Sequence, residues 1–150
     1  MQTSTPGEFP LWLVPLFPLF FVAVWLGVCA VTAYVSRWPA LAAHFRAAGR
    51  PEGQPVEGQV RGMGWANENG VTHLVVSAAG LYLYVNPLFR FARPPLLLPW
   101  ERVRFLRERQ FLTRRFYEFD LAGVTTLTLT RAGYEAINSS ARGGADDAAR

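Results

Sequence analysis

Residues 11–35 read LWLVPLFPLFFVAVWLGVCAVTAYV, and no charged side chain occurs between Glu8 and Arg37. In helical form these 25 residues reach about 37 Å, enough to cross a hydrocarbon core of about 30 Å with some tilt. The stretch predicts a transmembrane helix over 11–35, and everything after it is then tethered to a bilayer. Pro10, Pro15 and Pro18 remove backbone donors, so the regular helix is expected to begin near Pro18. Cys29 is the one cysteine and lies inside the apolar run, where it acts as a small hydrophobe. A cleaved signal peptide is disfavoured, because residues 1–8 hold no Lys or Arg and the run is too long for an h-region. Leu26-Gly27-Val28-Cys29 superficially resembles a lipidation signal, but valine fits poorly just before a lipidated cysteine. An uncleaved anchor behind an N-terminal tail (1–10) is therefore expected.

Basic residues are asymmetric around this run. Only Glu8 precedes it, whereas Arg37, Arg46 and Arg50 follow, with His44 among them. By the positive-inside rule the N-terminus lies outside and the rest of the chain in the cytoplasm, at the inner membrane. All 15 basic residues are arginine, which with the many alanines and glycines points to a GC-rich bacterial genome.

About 115 residues remain after the run, the size of one small domain. Residues 36–55 read as an interfacial helix and a linker. Pro39–Ala48 is Ala-rich, spaces Leu41 and Phe45 one turn apart and meets a candidate C-cap at Gly49. Trp38 stands where a membrane-interface residue would. The apolar side of this helix (Trp38, Leu41, Phe45) suits headgroups and a domain core equally. Residues 50–59 form a Pro- and Gly-rich connector, and a first strand is expected within Val56–Trp65, followed by a loop at 66–70.

The clearest local pattern is Thr72–Val76 and Leu81–Val85 around Ser77-Ala78-Ala79-Gly80, a hairpin with Gly80 at positive φ. In its second arm Leu81, Leu83 and Val85 alternate with Tyr82 and Tyr84. After a Pro-rich loop (86–95), Leu96–Val103 is extended, and Arg104–Leu112, Arg114–Leu121 and Val124–Thr130 form a meander. A short helix is expected over 131–138 and a disordered tail over 139–150.

The segments Leu74-Val75-Val76-Ser77-Ala78-Ala79-Gly80-Leu81-Tyr82-Leu83 and Pro94-Pro95-Leu96-Leu97-Leu98-Pro99-Trp100-Glu101-Arg102-Val103 resemble the PH-like and GRAM-like domains. In those domains a strand, a Gly-Leu-Tyr turn and an IPW-type strand recur in this order. The chain also resembles small bacterial membrane-anchored proteins of unknown function. Covering about residues 56–138, the resemblance implies a mainly-β (α+β) domain, a small antiparallel barrel or sheet capped by a C-terminal helix. It also implies a tendency to bind lipids, peptides or proteins, without implying catalysis.

Arg90–Arg115 contains eight arginines against Glu101 and Glu108, a net charge of +6. Near an anionic leaflet each contributes on the order of 1 kcal/mol of attraction. The candidate partner or lipid surface is Phe89, Arg90, Phe91, Arg93, Arg104, Arg107, Arg109, Arg114 and Arg115. A solvated sheet face with arginines paired to Glu108, Glu118 and Asp120 explains the same residues. Along Val103–Phe111 strict alternation puts Phe105, Arg107, Arg109 and Phe111 on one face and Arg104, Leu106, Glu108 and Gln110 on the other. Neither face is cleanly apolar, as in an edge strand or protruding hairpin.

Catalytic chemistry finds little footing. His73 and Ser77 on one strand are about 13 Å apart, too far for a base and nucleophile. No carboxylate spacing suits a metal and no Gly-rich loop precedes a helix, so no cofactor is expected. Nucleic acid is disfavoured as a ligand, because strand-spaced aromatics suit a core and a bilayer-held domain is poorly placed to scan it. The expected partners are membrane lipids and a protein.

Overall fold

A computed structural model describes residues 10–56 and 59–148, with side chains as far as 143. The tail expected over 1–10 falls, apart from Pro10, outside the described residues.

Helix α1 (Leu13–Val35) is 23 residues long, or about 35 Å. It is long and apolar enough to cross a membrane, and only 6% of its most apolar window is buried in the molecule, unlike the core helix of a soluble protein. It begins before Pro18, contrary to expectation. Pro15 sits in the first turn, whose N–H groups have no helical partner anyway, and Pro18 forgoes a single bond.

Ser36 still bonds back to the Thr32 carbonyl, and then Arg37 takes a left-handed conformation (φ 57°) that ends α1 and starts α2 (Trp38–Phe45). α2 stops short of the expected Gly49. Arg46 turns extended (φ −64°, ψ 124°), bridges Leu96, and lets the Ala47 N–H reach the Pro95 carbonyl at 2.9 Å. Pairing to a strand replaces the last helical turn. Trp38 and Leu41 are fully buried, so of the two environments this apolar side suits, the core is the one it occupies. Trp38 is not a membrane-interface residue here.

Among the described residues nine strands follow: β1 (Gly53–Val56), β2 (Val60–Met63), β3 (Ala66–Asn67), β4 (Thr72–Ser77), β5 (Gly80–Val85), β6 (Leu96–Leu98), β7 (Val103–Phe111), β8 (Arg114–Leu121) and β9 (Thr125–Leu129). They form two antiparallel sheets, ordered β1-β4-β5-β6 and β3-β2-β9-β8-β7. The sheets do not close into one barrel. The connector read at 50–59 contains β1, which belongs to the first sheet, and the strand expected within 56–65 is β2, in the second.

The β4–β5 hairpin and the β7–β8–β9 meander match expectation. Gly80 has φ 150°, and a Cβ there would stand 2.1 Å from the Leu98 carbonyl oxygen of neighbouring β6. That close approach makes the position a glycine. Inward residues of both sheets (Leu74, Val76, Leu81, Leu83 against Met63, Phe119, Leu127, Leu129) form one core with Ala33, Trp38, Leu41 and Ile137. Helix α3 (Arg131–Ala148) runs ten residues past the expected 138. No proline interrupts it, and a helix nucleated by Tyr134 and Ile137 on the sheets propagates at little cost per residue. The tail expected to be disordered is thus helical through Ala148, and 149–150 lie outside the described residues.

Candidate functional site

The expected surface residues divide among three places. The first is a joint between α1 and the sheets. Arg93 is 1% exposed and Glu68 fully buried. Arg93 is therefore not part of a binding surface. Its guanidinium forms a forked ion pair with Glu68, with Nη1 donating to Oε2 at 3.0 Å and Nη2 to Oε1. Nη2 also donates to Ser36 Oγ at 3.1 Å, which ties the pair to the end of α1, where cations are favoured by the helix dipole. Thr72 Oγ1 donates to Glu68 Oε2 at 2.7 Å. The Trp38 ring lies 5.0 Å from the Arg93 guanidinium carbon, and its Nε1 donates to the Pro94 carbonyl at 2.7 Å. The sequence reading missed Glu68 and Ser36. Nothing local marks them, since Arg93 is 25 and 57 residues away from them respectively.

The seam continues up α1. Cys29 and Ala33 are buried and Trp25 and Thr32 partly so, a helical stripe facing the domain. A cavity of about 140 Å³ lies along it, lined by Val28, Cys29, Thr32, Glu68, Val71, Phe89 and Arg93.

The second place is the turn at Pro87–Phe89 and the two residues after it. Phe89 is partly buried with its ring 4.9 Å from that of Trp25, and Trp25 Nε1 donates to the Leu88 carbonyl at 3.2 Å. Arg90 and Phe91 are exposed, as is Leu88.

The third is the β7–β8 hairpin, where β7 is an exposed edge strand. Strict alternation does not hold along it. The register shifts between Phe105 and Arg107, so Phe105 pairs with Phe119 while Arg107 pairs with Glu118. A bulge at Leu106 puts Phe105 on the inner face, its ring 5.5 Å from Tyr134, and turns Arg107 outward. Arg107 Nε and Arg109 Nη1 both reach Glu118, at 2.6 and 3.0 Å. Arg115 pairs with Glu108 at 3.4 Å. Arg104 and Arg114 are exposed and form no ion pair among the described residues. Phe111 and Leu112 at the tip are 70% and 82% exposed.

Burial alone would raise the Glu118 carboxyl, but the hydrogen bonds and charges of Arg107 and Arg109 outweigh it and hold Glu118 below the ordinary glutamate value. A carboxyl lowered by folding stabilises the fold above its unfolded pKa, and that contribution disappears as pH falls through the folded value. Amide protection factors in β7 and β8, measured against the unfolded chain at each pH, should therefore fall as pH drops below the ordinary glutamate range. Glu118→Gln should flatten that dependence and cost about 1 kcal/mol at neutral pH, because solvent screens the exposed arginines. A hairpin equally acid-sensitive with glutamine would refute the assignment.

His73 stacks on Tyr84 at 5.0 Å between ring centres; its Nδ1 is buried without a partner. No carboxylate bonds to it among the described residues, nor does any group of three metal-ligating side chains occur among them.

Fold and site thus define a class: an α+β domain docked along an apolar N-terminal helix. Comparison with protein-family models, curated proteins and solved structures finds no match.

Proposed function

We propose that this chain is a single-pass protein of a bacterial inner membrane. Its N-terminus lies outside, and its cytoplasmic PH-like domain is a non-enzymatic adaptor or assembly subunit that binds a protein partner through the β7–β8 hairpin. The orientation rests on the arginines that follow α1 and the lack of basic residues before it. The PH-like assignment is supported by the Gly80-Leu81-Tyr82 and Leu98-Pro99-Trp100 phrases, together with two antiparallel sheets followed by a helix.

One observation carries the partner reading. β7 is a nine-residue edge strand exposed along nearly its whole length, in a domain whose opposite region is fixed to α1. The exposed tip, Phe111 and Leu112, lies about 25 Å along β8 from Leu121 at the other end of that strand. Unpaired strand edges recruit added strands, and Arg104 and Arg114 beside this one favour an acidic segment.

Crosslinking and affinity purification of the full-length protein from its own membrane test this. A partner recovered at fixed ratio should be lost from an Arg104→Ala, Arg114→Ala, Phe111→Ser variant. None of these side chains joins an ion pair among the described residues, so the fold should survive. A partner that ignores all three changes would sink the hairpin as the docking edge.

A further inference from the structure

We propose that the Pro87–Phe91 loop penetrates the cytoplasmic leaflet beside α1, with Leu88 and Phe91 among the acyl chains and Arg90 and Arg46 drawn to lipid phosphates. This rests on the reading of α1 as a membrane span. The loop is bonded to α1 at Trp25, through the Leu88 carbonyl and the Phe89 ring. From Leu11 to Trp25 the helix rises only about 21 Å, whereas a hydrocarbon core is about 30 Å thick. If the core begins at Leu11 it ends near residue 31, and the turn at Trp25 lies roughly 9 Å inside it. That depth is typical of interfacial elements that bury their apolar side.

The chemistry of the loop suits that place. Leu88 is 65% and Phe91 53% exposed, so neither is packed in the core, and the Leu88 carbonyl is bonded to α1. Backbone groups in hydrocarbon must be bonded inside the protein, and through Arg90 every N–H of this turn is. The Asn86 N–H donates to the Val71 carbonyl, Phe89 to Asn86 and Arg90 to Pro87. The Leu88 N–H donates to the Asn86 side chain, its carbonyl accepts from Trp25, and Pro87 has no N–H. Arg46 and Arg90 flank an open cavity of about 400 Å³ floored by Ala92, Pro94 and Pro95, and long arginine side chains reach from buried positions to the headgroups.

Depth-dependent quenching tests the proposal on the full-length protein in phosphatidylcholine vesicles containing some phosphatidylglycerol. In a Cys29→Ala background, single cysteines replace Leu88, Phe91, Val22 or Leu112 and carry one environment-sensitive fluorophore. Labels at 88 and 91 should lose most of their emission to nitroxides placed high on the acyl chain and little to aqueous iodide. The label at 22 should respond most to nitroxides deep in the chain, and the label at 112 to iodide. If 88 and 91 are quenched by iodide while 22 is quenched by lipid, the loop lies in water and the inference fails although the span stands. If 22 too is open to iodide, α1 does not cross and both readings fall together.

Discussion

Removing either member of the buried pair, by Glu68→Ala or Arg93→Ala, is expected to destabilise the fold by about 3–5 kcal/mol. Both side chains are almost wholly buried, so each single change strands a charge without its counter-ion in a region of low polarity. Glu68→Ala leaves the guanidinium with only Ser36 Oγ and the Trp38 ring. Arg93→Ala leaves the carboxylate with the Thr72 hydroxyl. Removing both charges is a different matter. The attraction within a buried pair repays its desolvation only in part, so apolar replacement of similar volume is often close to neutral. Glu68→Leu with Arg93→Met should lie nearer the parent than either single alanine variant. Thermal unfolding in detergent measures this, and a loss of this size lowers Tm by more than about 10 °C in a domain of this length. Single variants melting within a few degrees of the parent would show that the pair is solvated and that the joint does not hold the domain.

That pair also marks where the sequence stops being informative. α1 is legible because composition alone excludes charge over its length, and the β4–β5 hairpin because alternation and Gly80 agree. Registers and pairings at long range are not. A glutamate in a stretch with the residues of a loop and an arginine in a basic run look like surface residues until the fold brings them together across 25 positions. Trp38 illustrates a second limit, since an apolar helix side fits a lipid surface and a protein core equally well. Leu106 shows a third: one bulge reverses every facing assignment after it, and neither propensity nor period reveals where an extra residue is accommodated. The tryptophan exposed beside the end of α1 is instead Trp65. It is 95% exposed on the β2–β3 turn and lines a cavity with Tyr34, Val35 and Pro39.

Exchanging these two tryptophans for alanine should separate them sharply. Trp38→Ala is expected to cost about 3–5 kcal/mol, the range for truncating a large buried aromatic. The side chain is fully buried, so the cavity can close only if α2 shifts against β6. Two further losses add to the cavity. The Pro94 carbonyl loses its 2.7 Å donor, and the Arg93 guanidinium loses the ring beneath it, an interaction of about 2 kcal/mol when desolvated. Trp38→Phe keeps a ring but no N–H and should cost about half as much, which separates packing from the hydrogen bond. Trp65→Ala should leave Tm unchanged, because its ring buries almost nothing in the domain. A belt tryptophan at position 38 predicts no difference between the two, with the domain melting normally and only its seating against the lipid altered. Equal melting of the Trp38→Ala and Trp65→Ala proteins would therefore return Trp38 to the membrane surface and dismantle the joint through which α1 holds the domain.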